Sequence, residues 1–345
     1  MINRRGFSKV LGLTSGATAV SMTGLLSSQT AAASPAPTVT AGAHSAFRRP
    51  RQIRAGLLDV GYAEVGPAHG PAVICLHGWP YDIHSYVDVA PLLAEEGYRV
   101  IVPYLRGHGT TRFLSDRTLR NAQQSVIALD VIALMDALKI ERAVLAGFDW
   151  GSRTADIIAA LWPERCKALV SVSGYLITNR EANLKPLPPK AELAWWYQYY
   201  FATERGRLAM ADKTLRHDLT RLVWDTVSPT WDFDDATFER TAAAFDNPDY
   251  AAVVIHNYRW RLSLADGERR YDGLEKRLAA RPVIKVPALT LDPERDPFTA
   301  PGDGASYRDR FTGAYEHRTL TGIGHNVPQE APADFARAVI DVDHF

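Results

Sequence analysis

The sequence predicts an α/β protein: a mostly parallel sheet flanked by helices, with a helical cap inserted into it. The first sign is alternation. Short apolar runs at residues 72–76, 98–103, 143–148 and 168–172 alternate with helical stretches at 122–138 and 152–161. Runs this short and this apolar are the strands of a sheet covered on both faces. The second sign is an interruption, since the alternation stops near Ser173 and resumes near Val286. The third is what fills the gap. Residues 178–270 are helical in pattern and hold five of the eight tryptophans, more than a passive connection needs. These aromatic residues serve both a small cap core and a pocket wall, with packing claiming most of them.

Each element can be justified in order. Residues 53–65 alternate apolar and polar in part and break at Gly61, as a strand pair does. The third strand, 72–76, ends in His77-Gly78-Trp79-Pro80, and 98–103 leads into Arg106-Gly107-His108-Gly109. In 122–138, Ile127, Val131, Leu134 and Leu138 recur on one helical face. After the insertion, the strand 288–291 runs into Asp292-Pro293-Glu294-Arg295-Asp296, and a strand at 316–320 runs into Gly322-Ile323-Gly324-His325. An amphipathic helix at 332–342 closes the chain. The expected organisation is residues 1–33 as an export signal, 34–50 as a linker, 51–177 and 271–345 as the core domain, and 178–270 as the cap.

Composition narrows the function. Among 345 residues, Lys+Arg and Asp+Glu are equal at 39 each, with no run of like charge, so a nucleic-acid partner is not expected. Cys75 and Cys166 have no metal-ligand spacing and read as buried small hydrophobes. The N-terminus carries Arg4-Arg5-Gly6-Phe7-Ser8-Lys9, a weakly apolar stretch, then Ala31-Ala32-Ala33. This resembles a twin-arginine export signal with a small-residue cleavage site. The stretch is too short and polar for a membrane anchor. Cleavage after residue 33 removes Arg4, Arg5 and Lys9 and no acid, leaving 36 basic against 39 acidic residues, formally −3. The expectation is a periplasmic or secreted protein whose partners are the export machinery, a small hydrophobic substrate and water, with no membrane.

The chemistry centres on Gly147-Phe148-Asp149-Trp150-Gly151, which follows a buried strand and opens a helix. A nucleophile elbow demands that context, and its sharp turn requires small residues two before and two after the central one. Asp149 holds the nucleophile position, and a carboxylate with a pKa near ~4 is ionised at neutral pH without a base. Attack on an sp³ carbon gives an alkyl ester, which water must hydrolyse, so a histidine is needed to activate water. His325 is the candidate. Asp296 is the preferred acid to hold its imidazole, with Asp292 as competitor, giving the chain order nucleophile, acid, histidine. The backbone N–H groups of Trp79 and Trp150 are expected to form the oxyanion hole.

The combination H-G-W-P, G-F-D-W-G and a C-terminal G-H resembles the α/β-hydrolase-fold epoxide hydrolases, with haloalkane and haloacetate dehalogenases as cousins sharing the aspartate chemistry. The resemblance covers roughly residues 50–345. Tyr197-Gln198-Tyr199-Tyr200-Phe201 resembles the family's Y-Q-x-Y-F segment, and Asn257-Tyr258-Arg259 its second tyrosine segment. The resemblance implies that Tyr197 and Tyr258 hydrogen-bond the epoxide oxygen, that His77, Trp150, Gln198 and Phe201 contact substrate, and that no cofactor or metal takes part. An epoxide leaves as an alkoxide and needs a proton donor, which paired phenols supply, whereas a halide needs only N–H donors. Dehalogenation is the alternative function, and a non-catalytic binding protein a third. The loop Leu291-Asp292-Pro293-Glu294-Arg295-Asp296 departs from the family's G-x-x-D spelling. Arg153 matches one of two arginines of the haloacetate enzymes, but the other would stand at Trp150, so Arg153 is expected to make a structural ion pair.

Overall fold

A computed structural model describes residues 46–47, 49–298 and 302–345. The expected export signal and most of the expected linker lie outside the described residues. β1 (Arg51–Ala55) and β2 (Leu58–Val65) form an antiparallel hairpin with Ala55 opposite Leu58. Its turn uses Gly56 at φ +56°, not Gly61. Gly61 lies inside β2, where a Cβ would stand 1.9 Å from Thr110 Oγ1. The expected break therefore falls at the wrong glycine. Pattern alone does not separate a glycine that supplies a positive φ from one that makes room.

β3 (Ala72–Leu76), β4 (Arg99–Pro103), the short β5 (Arg112–Phe113), β6 (Ala143–Gly147), β7 (Cys166–Val172), β8 (Ala288–Pro293) and β9 (Tyr315–Leu320) complete the sheet among the described residues. Its order is β1-β2-β4-β3-β6-β7-β8-β9, with β5 on β2. β2 meets β4 antiparallel, and every pairing from β4 to β9 is parallel. All five residues of β6 are buried. Because alternate strand residues point to opposite faces, both faces of the sheet centre are covered. The covering helices of the core are α1 (Val89–Glu95), α2 (Gln124–Ala137) and α3 (Trp150–Leu161), with α2 against α3. Ile74, Leu145 and Val170 are fully buried there. Each such side chain contributes roughly 1.5–3 kcal/mol of transfer free energy.

Between β7 and β8 the chain is helical: α4 (Arg180–Asn183), α5 (Pro189–Ala194), α6 (Trp196–Ala202), α7 (Glu204–Ala211), α8 (Lys213–Val227), α9 (Asp235–Ala242), α10 (Tyr250–Arg261) and α11 (Asp272–Ala279). α8 starts where Asp212 accepts the Leu215 N–H at 2.9 Å, a side-chain cap. It buries Leu219, Val223, Trp224 and Val227, one stripe at helical spacing. Trp224 ties this stripe to the loop after β3: its indole donates to Pro80 O at 2.8 Å and its ring stacks on Tyr81. α12 (Val327–Glu330) and α13 (Pro332–Asp343) end the chain, α13 packing on α1 and β7. Cys75 and Cys166 are buried and free.

Close packing at one turn carries a measurable consequence. A Cβ on Gly151 would stand 1.8 Å from Leu76 O, whereas one on Gly273, in α11, meets nothing within 4 Å. Gly151→Ala is expected to cost about 3 kcal/mol or more, and Gly273→Ala to stabilise by about 0.4–1 kcal/mol. Urea unfolding of both variants checks this; equal stabilities would mean that the turn has slack.

Candidate active site

β6 delivers the chain into a turn whose central residue, Asp149, sits at φ 55°, ψ −122° before α3 begins. A non-glycine residue held there costs on the order of 1–3 kcal/mol. The surrounding backbone enforces it: a Cβ on Gly147 would lie 2.4 Å from Gly151 C. The turn lifts the Asp149 carboxylate towards the end of β3. There Trp79 N–H donates to Oδ1 at 2.8 Å. Gly78 makes the approach possible, since its Cβ would fall 2.4 Å from the Asp149 Cβ. Trp150 is the first residue of α3, so its N–H has no partner within the helix. The positive end of the helix adds to the stabilisation of the anion.

The other two members of the expected triad converge on this carboxylate. His325 Nδ1 lies 2.7 Å from Asp296 Oδ2, and its Nε2 lies 3.6 Å from Asp149 Oδ2. Asp296 also accepts the Phe298 N–H at 2.9 Å. Asp292 is engaged elsewhere, accepting the Tyr307 hydroxyl at 2.8 Å and facing His317 at 4.0 Å. Geometry thus separates the two carboxylates that sequence left in competition. Glu330 holds the His325 loop, accepting N–H groups from Gly324 at 2.6 Å and Asn326 at 3.0 Å and the Ser228 hydroxyl at 2.6 Å. His325 N–H also donates to Val227 O at 3.1 Å, so the histidine is fastened to the end of α8.

Asp149, Asp296 and His325 are each more than nine-tenths buried. Burial opposes charge on His325, but the Asp296 carboxylate, followed by the contact with Asp149, raises its pKa to about 10. Burial also opposes charge on Asp149, and the His325 contact overrides it, with Arg153 and the Trp79 N–H adding to the effect; the carboxyl sits below the usual carboxylate range. The resting pair is therefore aspartate and imidazolium.

Tyr197 on α6 and Tyr258 on α10 meet edge to face at 5.4 Å, both against the Trp79 ring at 5.0 and 5.3 Å. Both phenols feel the Asp149 charge. Burial first, with the Asp149 charge adding to it, keeps both phenols protonated far above neutral pH. The remaining expected substrate contacts differ. His77 donates from Nδ1 to Gly78 O at 2.9 Å, and its Nε2 accepts the Leu105 N–H at 3.1 Å, so both nitrogens serve the loop backbone. Phe201 packs edge-on against Trp79, and Gln198 is buried on α6. The Trp150 ring is buried 6.0 Å from Tyr258. None of His77, Trp150, Gln198 and Phe201 lines the cavity at Asp149, and neither do Tyr197 and Tyr258.

That cavity has a volume of about 130 Å³, and its walls include Arg153, Trp195, Arg261 and Phe298 beside the triad. Arg153 has no carboxylate within 4.0 Å among the described residues, which corrects the expected structural ion pair. The reason is spacing: four residues past Asp149, on α3, it lies one turn above that carboxylate and faces the same cavity. Arg261 was missed, although it follows Tyr258 by three residues and so shares its face of α10. Phe298 offered no signal beyond its place in the acid loop.

The chain belongs to the α/β hydrolase fold family, whose model matches residues 71–325. A Klebsiella pneumoniae protein solved as a "putative epoxide hydrolase" is 57% identical, with TM-score 0.85 over 88% of this chain and 100% of that one. Epoxide hydrolase B of Mycobacterium tuberculosis is 33% identical over 171 residues, 46% of this chain and 47% of that protein, so the match spans about half of that relative's length. A haloalkane dehalogenase of Mycobacterium marinum is 26% identical over 294 residues, 82% of this chain and 88% of the relative. The protein is an epoxide hydrolase-like α/β hydrolase.

Removing the Asp296 charge removes the main support of the His325 proton. Asp296→Asn is expected to lower the His325 pKa from about 10, while Asp292→Asn leaves it in place. ¹⁵N-edited NMR titration of the imidazole reads both, and the reverse result would assign the supporting acid to Asp292.

Proposed function

We propose that the protein opens a small epoxide to a vicinal diol through an alkyl ester on Asp149. The observation that carries this reading is the pair of buried, protonated phenols of Tyr197 and Tyr258, within electrostatic reach of Asp149. An epoxide needs such donors and a halide does not. Asp149 Oδ2 attacks a ring carbon, the C–O bond breaks, and the oxygen takes a proton from a phenol. Oδ1, already hydrogen-bonded to Trp79 N–H, becomes the ester carbonyl oxygen. Alkylation neutralises Asp149, which removes one support of the His325 proton; that proton passes through solvent to the phenolate left by ring opening, which restores the phenol and frees the imidazole to act as base. Water deprotonated by His325 attacks the ester carbonyl, the Trp79 and Trp150 N–H groups stabilise the oxyanion, and the diol leaves while Asp149 is restored.

A halide-releasing reaction is the second reading. It is favoured by the Mycobacterium marinum relative and by the buried indole N–H groups of Trp79 and Trp150, which lack acceptors. Halide release without diol from any epoxide would select it. The chain is further proposed to be exported through its twin arginines; Arg4→Lys with Arg5→Lys should leave full-length precursor in the cytoplasm, and normal processing would refute that.

His325→Gln is expected to react once and stall. Mass spectrometry should find the mass of one intact epoxide added to the peptide containing Gly147–Gly151. In single turnover of the wild type in ¹⁸O water, the label should enter Asp149 and not the diol. Label in the diol, with no trapped adduct, would rule out the aspartate nucleophile. Tyr197→Phe or Tyr258→Phe is expected to slow alkylation by about tenfold or more, read as the rate of adduct formation; an unchanged rate in the double variant would remove the case against halides.

A further inference from the structure

Leu176, Trp195 and Phe298 supply the apolar wall of the cavity at Asp149; its other lining side chains are charged or bear a hydroxyl. The polar part surrounds the reacting carboxylate and imidazole. Whatever hydrocarbon an epoxide carries must therefore lie on the apolar part, and the extent of that wall decides how much hydrocarbon the site accepts.

Trp195 and Phe298 reach the wall from different layers of the fold. Trp195 joins α5 to α6 in the cap, two residues before Tyr197. Phe298 lies on the loop after β8, two residues past Asp296, to which its N–H donates at 2.9 Å. Their ring centroids are 4.4 Å apart with planes tilted by 35°, the closest ring pair among the described residues. Further contacts hold both rings. The Arg261 guanidinium lies over the Trp195 ring, its Cζ 5.1 Å from the centroid, a cation–π contact. Phe298 stands edge-on to the His325 imidazole at 5.2 Å and to Tyr197 at 6.1 Å, and Trp195 lies 6.2 Å from Tyr197. Each ring thus has partners on both the cap and the core, which makes the pair a firm boundary.

The space inside that boundary is small. A dry cavity of about 150 Å³ holds one benzene molecule, and the cavity here has about 130 Å³. An epoxide such as 1,2-epoxybutane, with fewer heavy atoms than benzene, fits. An epoxide joined to a phenyl ring does not, unless Trp195 or Phe298 leaves its partners.

We infer that Trp195 and Phe298 are the specificity-determining pair of the site, and that they restrict it to short aliphatic epoxides of about four carbons. This rests on the epoxide-opening reading above and narrows it to a substrate class. Aromatic residues that sequence assigns to lining a hydrophobic pocket here also shut large hydrophobic molecules out.

The test compares 1,2-epoxybutane with 1,2-epoxy-3-phenylpropane. Both carry a methylene beside the epoxide, so they differ in bulk and hardly in intrinsic reactivity. Diol formation by the purified enzyme is scored as the ratio of the two kcat/KM values. The wild type is expected to prefer the smaller epoxide by about tenfold or more, a discrimination that one misfitting methylene already gives. Trp195→Ala and Phe298→Ala should each lower that ratio by about tenfold or more, through better use of the larger epoxide. The N–H that Asp296 accepts from residue 298 survives the second change, and a ratio within one protein is insensitive to partial loss of folded enzyme. Trp195→Phe, which keeps a smaller ring in place, should fall between the wild type and Trp195→Ala. Leu193→Ala, at an exposed position of α5, should leave the ratio alone. A wild type that prefers the phenyl compound, a ratio unmoved in both alanine variants, or one moved as far by Leu193→Ala overturns the size restriction and leaves epoxide opening intact. A wild type that makes diol from neither compound, nor from any smaller epoxide, overturns the epoxide reading and this inference with it.

Discussion

Everything at the site depends on one backbone constraint: Asp149 is held at a positive φ between two glycines, jammed against the end of β3. The strain is sustained because β3 and β6 pair in parallel, Leu76 beside Gly147, inside a sheet buried on both faces. Any side chain on Gly78 or Gly151 would push the strands apart or the carboxylate away. In its forced position the carboxylate meets the Trp79 N–H, the start of α3 and the His325 imidazole together. A relaxed turn would turn it away from at least one of them.

The electrostatics follow from that placement. A carboxylate and an imidazole, each almost wholly buried, would neutralise if they stood apart, because burial penalises charge. Side by side, with Asp296 behind the imidazole, they keep each other ionised. The pair is strong only while Asp149 is an anion. In the proposed reaction, covalent attack by Asp149 would end that condition, so the same contact that holds the proton on His325 at rest would give it up once the ester forms. Arg153 adds to this balance, since its charge also favours the ionised form of Asp149.

The helical insertion is more than a cover. His325 is fixed by the end of α8 through Val227 and by Ser228 through Glu330, and Trp224 fastens the same helix to Pro80, next to Trp79. The insertion therefore positions both His325 and the Trp79 N–H, while α6 and α10 bring the two phenols against the Trp79 ring. Folding of the insertion and geometry of the site are coupled through these few contacts.

Much of this was legible without coordinates. Apolar runs alternating with amphipathic helices sufficed for the parallel sheet because burial on both faces leaves no polar positions in β3 and β6. Glycines at 147 and 151, in the right strand-to-helix context, marked Asp149, since only small residues survive so sharp a turn. The order of Asp149, acid and His325 followed from the fold's connectivity. Tertiary structure decided what depends on direction in space. It chose Asp296 over Asp292, four residues apart on one loop, because only one of them faces the imidazole while the other is held by Tyr307 and His317. It assigned His77 to the loop backbone, moved the hairpin turn from Gly61 to Gly56, and took Arg153 out of an ion pair. It also set Arg153 beside Arg261, 108 positions along the chain, in one cavity. A sequence records spacing along a chain, and spacing resolves neighbours within a turn or a strand; which distant side chains meet is settled only by what the fold places within a few ångströms of them.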